Sequence, residues 1–157
     1  LTIALARRHT DGHVTGIDTW GKAWDYSRAG CERNAAAAGV AERTRFEKAS
    51  ASALPFDDES FDAAISNFVF HDVSDTKNKR ALVQEALRVV KKGGSFAFQD
   101  YFAVSPLYGN LDDLLETIRD WGVAEVTFVD TSSSDLIPRA LKLPFMLGSI
   151  SIIYGTK

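Results

Sequence analysis

The sequence is poor in the residues that mark several function classes. Cys31 is the only cysteine among 157 residues, which excludes an internal disulfide and a cysteine cluster for zinc. A reducing cytoplasm is the expected setting. The three histidines, His9, His13 and His71, fall at no ligand spacing such as H-E-x-x-H, so no metal site is expected. Positive charge is not in excess either: 18 basic against 21 acidic residues give a net charge of −3. Without a basic stripe, nucleic acid is not an expected partner. No apolar run reaches the length of a membrane span, and no signal peptide opens the chain. Repeats, low-complexity tracts and Pro/Ser-rich linkers are also absent, so a single domain over residues 1–157 is expected. The only methionine is Met146, and residue 1 is Leu. The expectation is that an N-terminal part has been removed or lies upstream.

What is present is 45% hydrophobic and 25% charged residues, enough for a soluble core. Their pattern alternates strand and helix. Leu1 to His9 reads as the end of a helix, and Asp11-Gly12 as a turn. His13 to Asp18 is a strand, and Trp20 to Ala38 a helix with Trp24, Cys31, Ala35 and Ala38 on one face, stopped at Gly39. Arg43 to Ala49 is a second strand. Phe61 to Phe70 is an apolar run suited to a strand buried on both faces. Thr76 to Lys92 predicts a helix packing through Leu82, Ala86, Val89 and Val90, ended by Gly93-Gly94; "SFAFQDYF" begins the next strand. Leu111, Leu114, Leu115, Ile118 and Gly122 mark an amphipathic helix. Strands follow near Ala124 to Asp130 and in "GSISIIYG". Such alternation predicts parallel crossovers with helices on both faces of one sheet.

In open sheets of this kind ligands bind beyond the carboxyl ends of the strands. That singles out Asp18, Thr19 and Trp20, then Ala49 to Ala51, Asn67 to His71, and Asp100 to Phe102. An acid such as Asp18 at a strand end can hold both hydroxyls of an adenosine ribose, or it can cap the helix that follows.

The stretch "LPFDDESFDAAISNFVFHDV" carries Ala51, Leu54, Pro55, Phe56, Asp58, Ser60, Phe61, Asp62, Ser66 and Asn67 in and just before it. At these places it resembles the A-x-x-L-P-F-x-D-x-S-F-D-x-x-x-S-N pattern of class I S-adenosylmethionine-dependent methyltransferases. "EALRVVKKGGSFAF", "RNAAAAGV" and "GIDTW" are similar to further motifs of that family, with Lys92 where proline is usual. The resemblance implies a Rossmann-like three-layer α/β/α sandwich, mostly parallel, with an antiparallel last strand near Ser149 to Tyr154. It implies S-adenosyl-L-methionine as cofactor, with Asp18 on the ribose, Thr19 and Trp20 along the adenosine, Ala51 N–H on the adenine edge, and Asn67 and Phe68 beside the methionine part. Phe70 and His71 would face a small-molecule acceptor, and Tyr101 and Phe102 are candidates for lining the same pocket. His71 is also a candidate general base.

Two departures follow from the same resemblance. Ser50 stands where many relatives have an acid that reads the adenine amino group. The family's first strand and G-x-G-x-G turn would precede Leu1 and are not in the sequence, so the sheet is expected to lack its central strand. Two other functions are consistent with parts of the pattern: a non-catalytic methyltransferase-like binding module, and an NAD-dependent dehydrogenase, although no Tyr-x-x-x-Lys pair supports the latter. A homo-oligomer is compatible with all three.

Overall fold

The computed structural model describes residues 1–20, 27–131, 134, 138, 142 and 149–157. They form two compact units, Leu1–Ala53 and Leu54–Lys157, with one sheet of two strands and one of four.

The first unit contains α1 (Thr2–Arg8), β1 (Val14–Asp18), α2 (Arg28–Ala37) and β2 (Thr44–Lys48). β1 and β2 run parallel, in register from Val14 beside Thr44 to Asp18 beside Lys48. Ala6, Ala35, Val40 and Phe46 form the core, with Ile3, Val14, Trp20 and Cys31 packed against it. Gly16 permits the close approach of helix and strand: a Cβ there would lie 2.5 Å from Thr2 Oγ1 and 3.1 Å from the Phe46 ring. Gly39, at φ 69°, follows the Ala38 cap and ends α2 as expected.

Of the helix expected over Trp20 to Ala38, the structure describes Arg28–Ala37 as α2, and Trp20 and Ser27 themselves are not helical. α2 begins at Arg28, where the Ser27 hydroxyl accepts the Gly30 N–H at 3.1 Å. Trp20 is in the left-handed region, at φ 41°, which interrupts a helical path. Trp24, from the expected apolar face, lies outside the described residues.

The second unit contains β3 (Phe61–Asn67), α3 (Lys79–Arg88), β4 (Val90–Asp100), α4 (Ser105–Tyr108), α5 (Leu111–Asp120), β5 (Glu125–Asp130) and β6 (Ser151–Thr156). The sheet order is β3-β4-β6-β5. β3 is parallel to β4, whereas β6 lies antiparallel between β4 and β5. The last strand therefore enters as the methyltransferase resemblance implied, and not as the parallel edge that a dinucleotide dehydrogenase would show. Leu82, Val83, Phe96, Phe98, Leu114, Ile118 and Ile153 are among its buried residues, so α3, α5, β4 and β6 all contribute to this core.

Three local expectations change. β3 is not buried on both faces: Ile65 is 44% exposed, and among the described residues the strand pairs only with β4. It stops at Asn67 because Phe68 takes φ 54° and Phe70–Asp72 forms a 3₁₀ turn. Gly93-Gly94 do not end α3, which stops at Arg88; they lie inside β4. There the pairing jumps from Phe61 beside Val90 to Ala63 beside Ser95, leaving extra residues on β4. Gly93 takes φ 76°, and a Cβ on Gly94 would sit 2.8 Å from the Asp62 carbonyl oxygen.

Candidate active site

In the first unit, parallel pairing brings the carboxyl ends of β1 and β2 together, and Ala49 N–H donates to the Asp18 carbonyl at 3.1 Å. Asp18 Oδ1 accepts the Trp20 backbone N–H at 2.7 Å, which holds the left-handed turn. α2 takes its cap from Ser27, so Asp18 is not the cap of that helix. Thr19 is exposed beyond the strand end. The Trp20 ring packs against the core, and its Nε1 is buried without a hydrogen-bond partner among the described residues. After β2, the Ser50 hydroxyl accepts Ser52 N–H at 3.2 Å and pairs with the Ser52 hydroxyl at 3.0 Å. Ser50 is thus committed to its own turn, and Ala51, half-buried, lies within that turn.

The second unit gathers a different group at the ends of β3 and β4. The Asp100 carboxylate is fully buried. Its Oδ1 accepts the Tyr101 backbone N–H at 2.7 Å and lies 2.9 Å from His71 Nδ1; its Oδ2 accepts the His71 backbone N–H at 3.2 Å. A carboxylate that already accepts from two backbone donors has only acceptor capacity left, so Nδ1 carries the imidazole proton and donates. Nε2 is then the basic nitrogen, with Asp72 Oδ1 at 3.6 Å, beyond hydrogen-bond length. The imidazole centroid lies 4.8 Å from the Tyr101 ring and 6.1 Å from the Phe68 ring, both edge-to-face.

Of the residues named from the sequence, the fold brings Phe68, His71 and Tyr101 together, and Asn67 is exposed at the end of β3. Phe70 and Phe102 are 2% and 0% exposed. Phe70 packs on Phe98 and Phe102 on Tyr108, so both belong to the core and offer almost no surface for lining a pocket. Sequence reasoning placed Asp100 at a strand end but gave it no role; its acidic side chain among the apolar residues of "SFAFQDYF" was the available signal. Tyr108, a third loop aromatic that with Tyr101 and Phe102 could line a pocket or cover the core, is 1% exposed and packs on Phe102 as core. Burial raises its phenol above the ordinary range, with the nearby Asp100 carboxylate adding to the effect. A separate cleft of about 250 Å³ is bounded by Val104, Leu111, Phe128 and Ile150, with Asp130 and Ser151 as polar groups. None of the residues named as candidates lines it.

A family model described as "Methyltransferase domain" matches residues 1–98. The chain is 35% identical over 80 residues to the uncharacterized methyltransferase YcgJ of Bacillus subtilis (strain 168), a match covering 50% of this chain and 30% of that protein. It is 33% identical over 103 residues to the ubiquinone/menaquinone biosynthesis C-methyltransferase UbiE of Bartonella henselae (strain ATCC 49882 / DSM 28221 / CCUG 30454 / Houston 1), covering 65% and 37%. The chain spans about a third of the length of these curated relatives. In fold it is similar to the geranyl diphosphate C-methyltransferase of Streptomyces coelicolor A3(2), whose structure holds S-adenosyl-L-homocysteine. That likeness has a TM-score of 0.66 at 16% identity and covers 98% of this chain and 66% of that one.

Proposed function

The chain belongs to the class I S-adenosylmethionine-dependent methyltransferases, and from that premise we propose that it moves a methyl group from S-adenosyl-L-methionine to a small-molecule acceptor. The observation that carries the reading is the family match over residues 1–98, which spans Asp18, Ser50-Ala51 and Asn67. A relative such as UbiE, named for ubiquinone/menaquinone biosynthesis, supports that acceptor class. The reading takes residues 1–157 as parts of one domain in a reducing cytoplasm, in keeping with a single free cysteine.

The residues present fit an adenosyl donor. A carboxylate at the end of β1 suits ribose hydroxyls, and the aromatic Trp20 follows it two residues on, held to it by its backbone N–H. In this reading Asp18 holds the ribose, Thr19 and Trp20 border the adenosine, and Ala51 N–H meets the adenine edge. Asn67 and Phe68 adjoin the methionine part, and His71 and Tyr101 face the acceptor. The donor supplies an electrophilic methyl on a sulfonium. The chain's own part is to hold the two reactants in line and exclude water, which can account for much of the barrier reduction.

The test is calorimetry of the full-length protein with S-adenosyl-L-methionine, followed by transfer of a labelled methyl group into a small-molecule extract. Saturable binding with label in an extractable product is expected. Binding without transfer to any acceptor would favour the non-catalytic module, and no binding would defeat the reading.

A further inference from the structure

We propose that His71 is the proton acceptor for the methyl-accepting group, that Asp100 is the residue that positions it, and that the acceptor is a hydroxyl on a planar ring. The proposal rests on the methyl-transfer reading above and adds the acceptor's chemistry to it.

The geometry argues this in three steps. First, a fully buried carboxylate is costly unless its oxygens are matched by donors, and Asp100 is matched by three: two backbone N–H groups and His71 Nδ1. That arrangement fixes both the tautomer and the plane of the imidazole, as a carboxylate does for a general-base histidine elsewhere. Second, the side chain of His71 is 21% exposed and its Nδ1 is taken by Asp100, which leaves Nε2 as the nitrogen for an acceptor. Third, the imidazole is flanked by the Phe68 and Tyr101 rings, which also meet each other at 5.8 Å. A flat conjugated ring matches such surroundings through offset or edge-to-face contact.

The step balances. The imidazole takes the acceptor's O–H proton at Nε2 while the oxygen gains the methyl group. The S–C electron pair stays with the donor's sulfur. The positive charge that enters on the sulfonium leaves on the imidazolium. That cation lies between Asp100, 2.9 Å from Nδ1, and Asp72, 3.6 Å from Nε2. The other charged groups nearby are already committed. On α3, Lys79 bonds the Val73 and Thr76 carbonyls, and Arg80 bonds the Tyr108 carbonyl and Asp113.

Two measurements on the full-length protein test this. Nitrogen-15 spectra of histidine-labelled protein read the His71 tautomer without any acceptor. The expected form is protonated at Nδ1 and bare at Nε2. In Asp100→Asn that preference is lost, because an amide offers one oxygen and one donor where the carboxylate accepts three times. A His71 protonated at Nε2, or a tautomer unchanged in Asp100→Asn, would overturn the proposal. The second measurement uses His71→Gln, which keeps a donor for Asp100 and so guards against simple unfolding. With methyl-labelled S-adenosyl-L-methionine and the small-molecule extract, transfer to hydroxyl oxygen should fall about 10²- to 10⁴-fold, while donor affinity by calorimetry stays unchanged. Transfer at the native rate, or a product methylated on carbon, would overturn it. Failure of the parent reading looks different: the native protein would not bind the donor, and the tautomer measurement would still decide the His71–Asp100 pair.

Discussion

Glu85 and Arg88, three residues apart on α3, bond to each other at 2.8 Å and between them claim both backbone groups of Leu54. Leu54 N–H donates to Glu85 Oε1 at 2.7 Å, and Arg88 Nη2 donates to the Leu54 carbonyl at 3.1 Å. The same guanidinium reaches the Phe56 carbonyl at 2.8 Å and Asp58 at 2.6 Å. The loop that opens the family's sequence motif is therefore held by a helix 30 residues further along the chain.

That pair sets an acid limit on stability. The Arg88 hydrogen bond, aided by Leu54 N–H, holds the Glu85 carboxyl below its ordinary value of 4.5. A lowered folded-state value means the unfolded chain binds the proton more readily. The stabilisation is thus complete above pH 4.5 and is lost as pH falls through the folded value. Glu85→Gln should destabilise most near neutrality, and its difference from the native protein should shrink at pH 3.5 in urea titrations. A pH-independent difference would refute the linkage.

Asp18 makes two separable contributions. Asp18→Asn keeps an oxygen for the Trp20 N–H but removes the charge. It should melt close to the native protein and bind S-adenosyl-L-methionine about 10- to 150-fold more weakly, a loss of about 1.5–3 kcal/mol. Asp18→Ala should lose the same affinity and about a further 1 kcal/mol of stability, because the turn loses its acceptor. Normal affinity in Asp18→Asn, read by calorimetry, would remove Asp18 from the cofactor site.

Ser50→Asp tests how the adenine is read. Aspartate can still accept Ser52 N–H and adds a charged acceptor, so donor binding should tighten by about 1–2 kcal/mol, roughly tenfold. Unchanged or weaker binding would mean that another residue reads the adenine amino group.

Gly155 marks where β6 is held tightest. A Cβ there would lie 1.8 Å from the Glu125 carbonyl oxygen, a backbone atom that cannot step aside. Gly155→Ala should cost about 2–3 kcal/mol in chemical denaturation. A loss below about 0.5 kcal/mol would show that β5 can shift without penalty.

Much of this protein was legible in the residues alone. The alternation of strand and helix, the Gly39 stop, the strand-end carboxylate Asp18 and the motif from Ala51 to Asn67 all depend on local periodicity, turn chemistry or short-range spacing, which a sequence carries directly. What failed locally did so where the backbone left an ordinary path. Trp20 and Phe68 take positive φ without being glycine, and Gly93-Gly94 serve a strand irregularity where a helix stop was expected. Only the tertiary structure decides which acids are buried and what they bond. Asp100 is one of 21 acidic residues, and nothing in its neighbours says that His71, 29 positions earlier, will donate to it. Nor does the sequence say that Phe70 and Phe102 will be buried while Phe68 and Tyr101 flank the imidazole. Hydrogen bonds and ring contacts act over a few ångströms in space, and parallel pairing of β3 with β4 is what brings those chain-distant groups within that range.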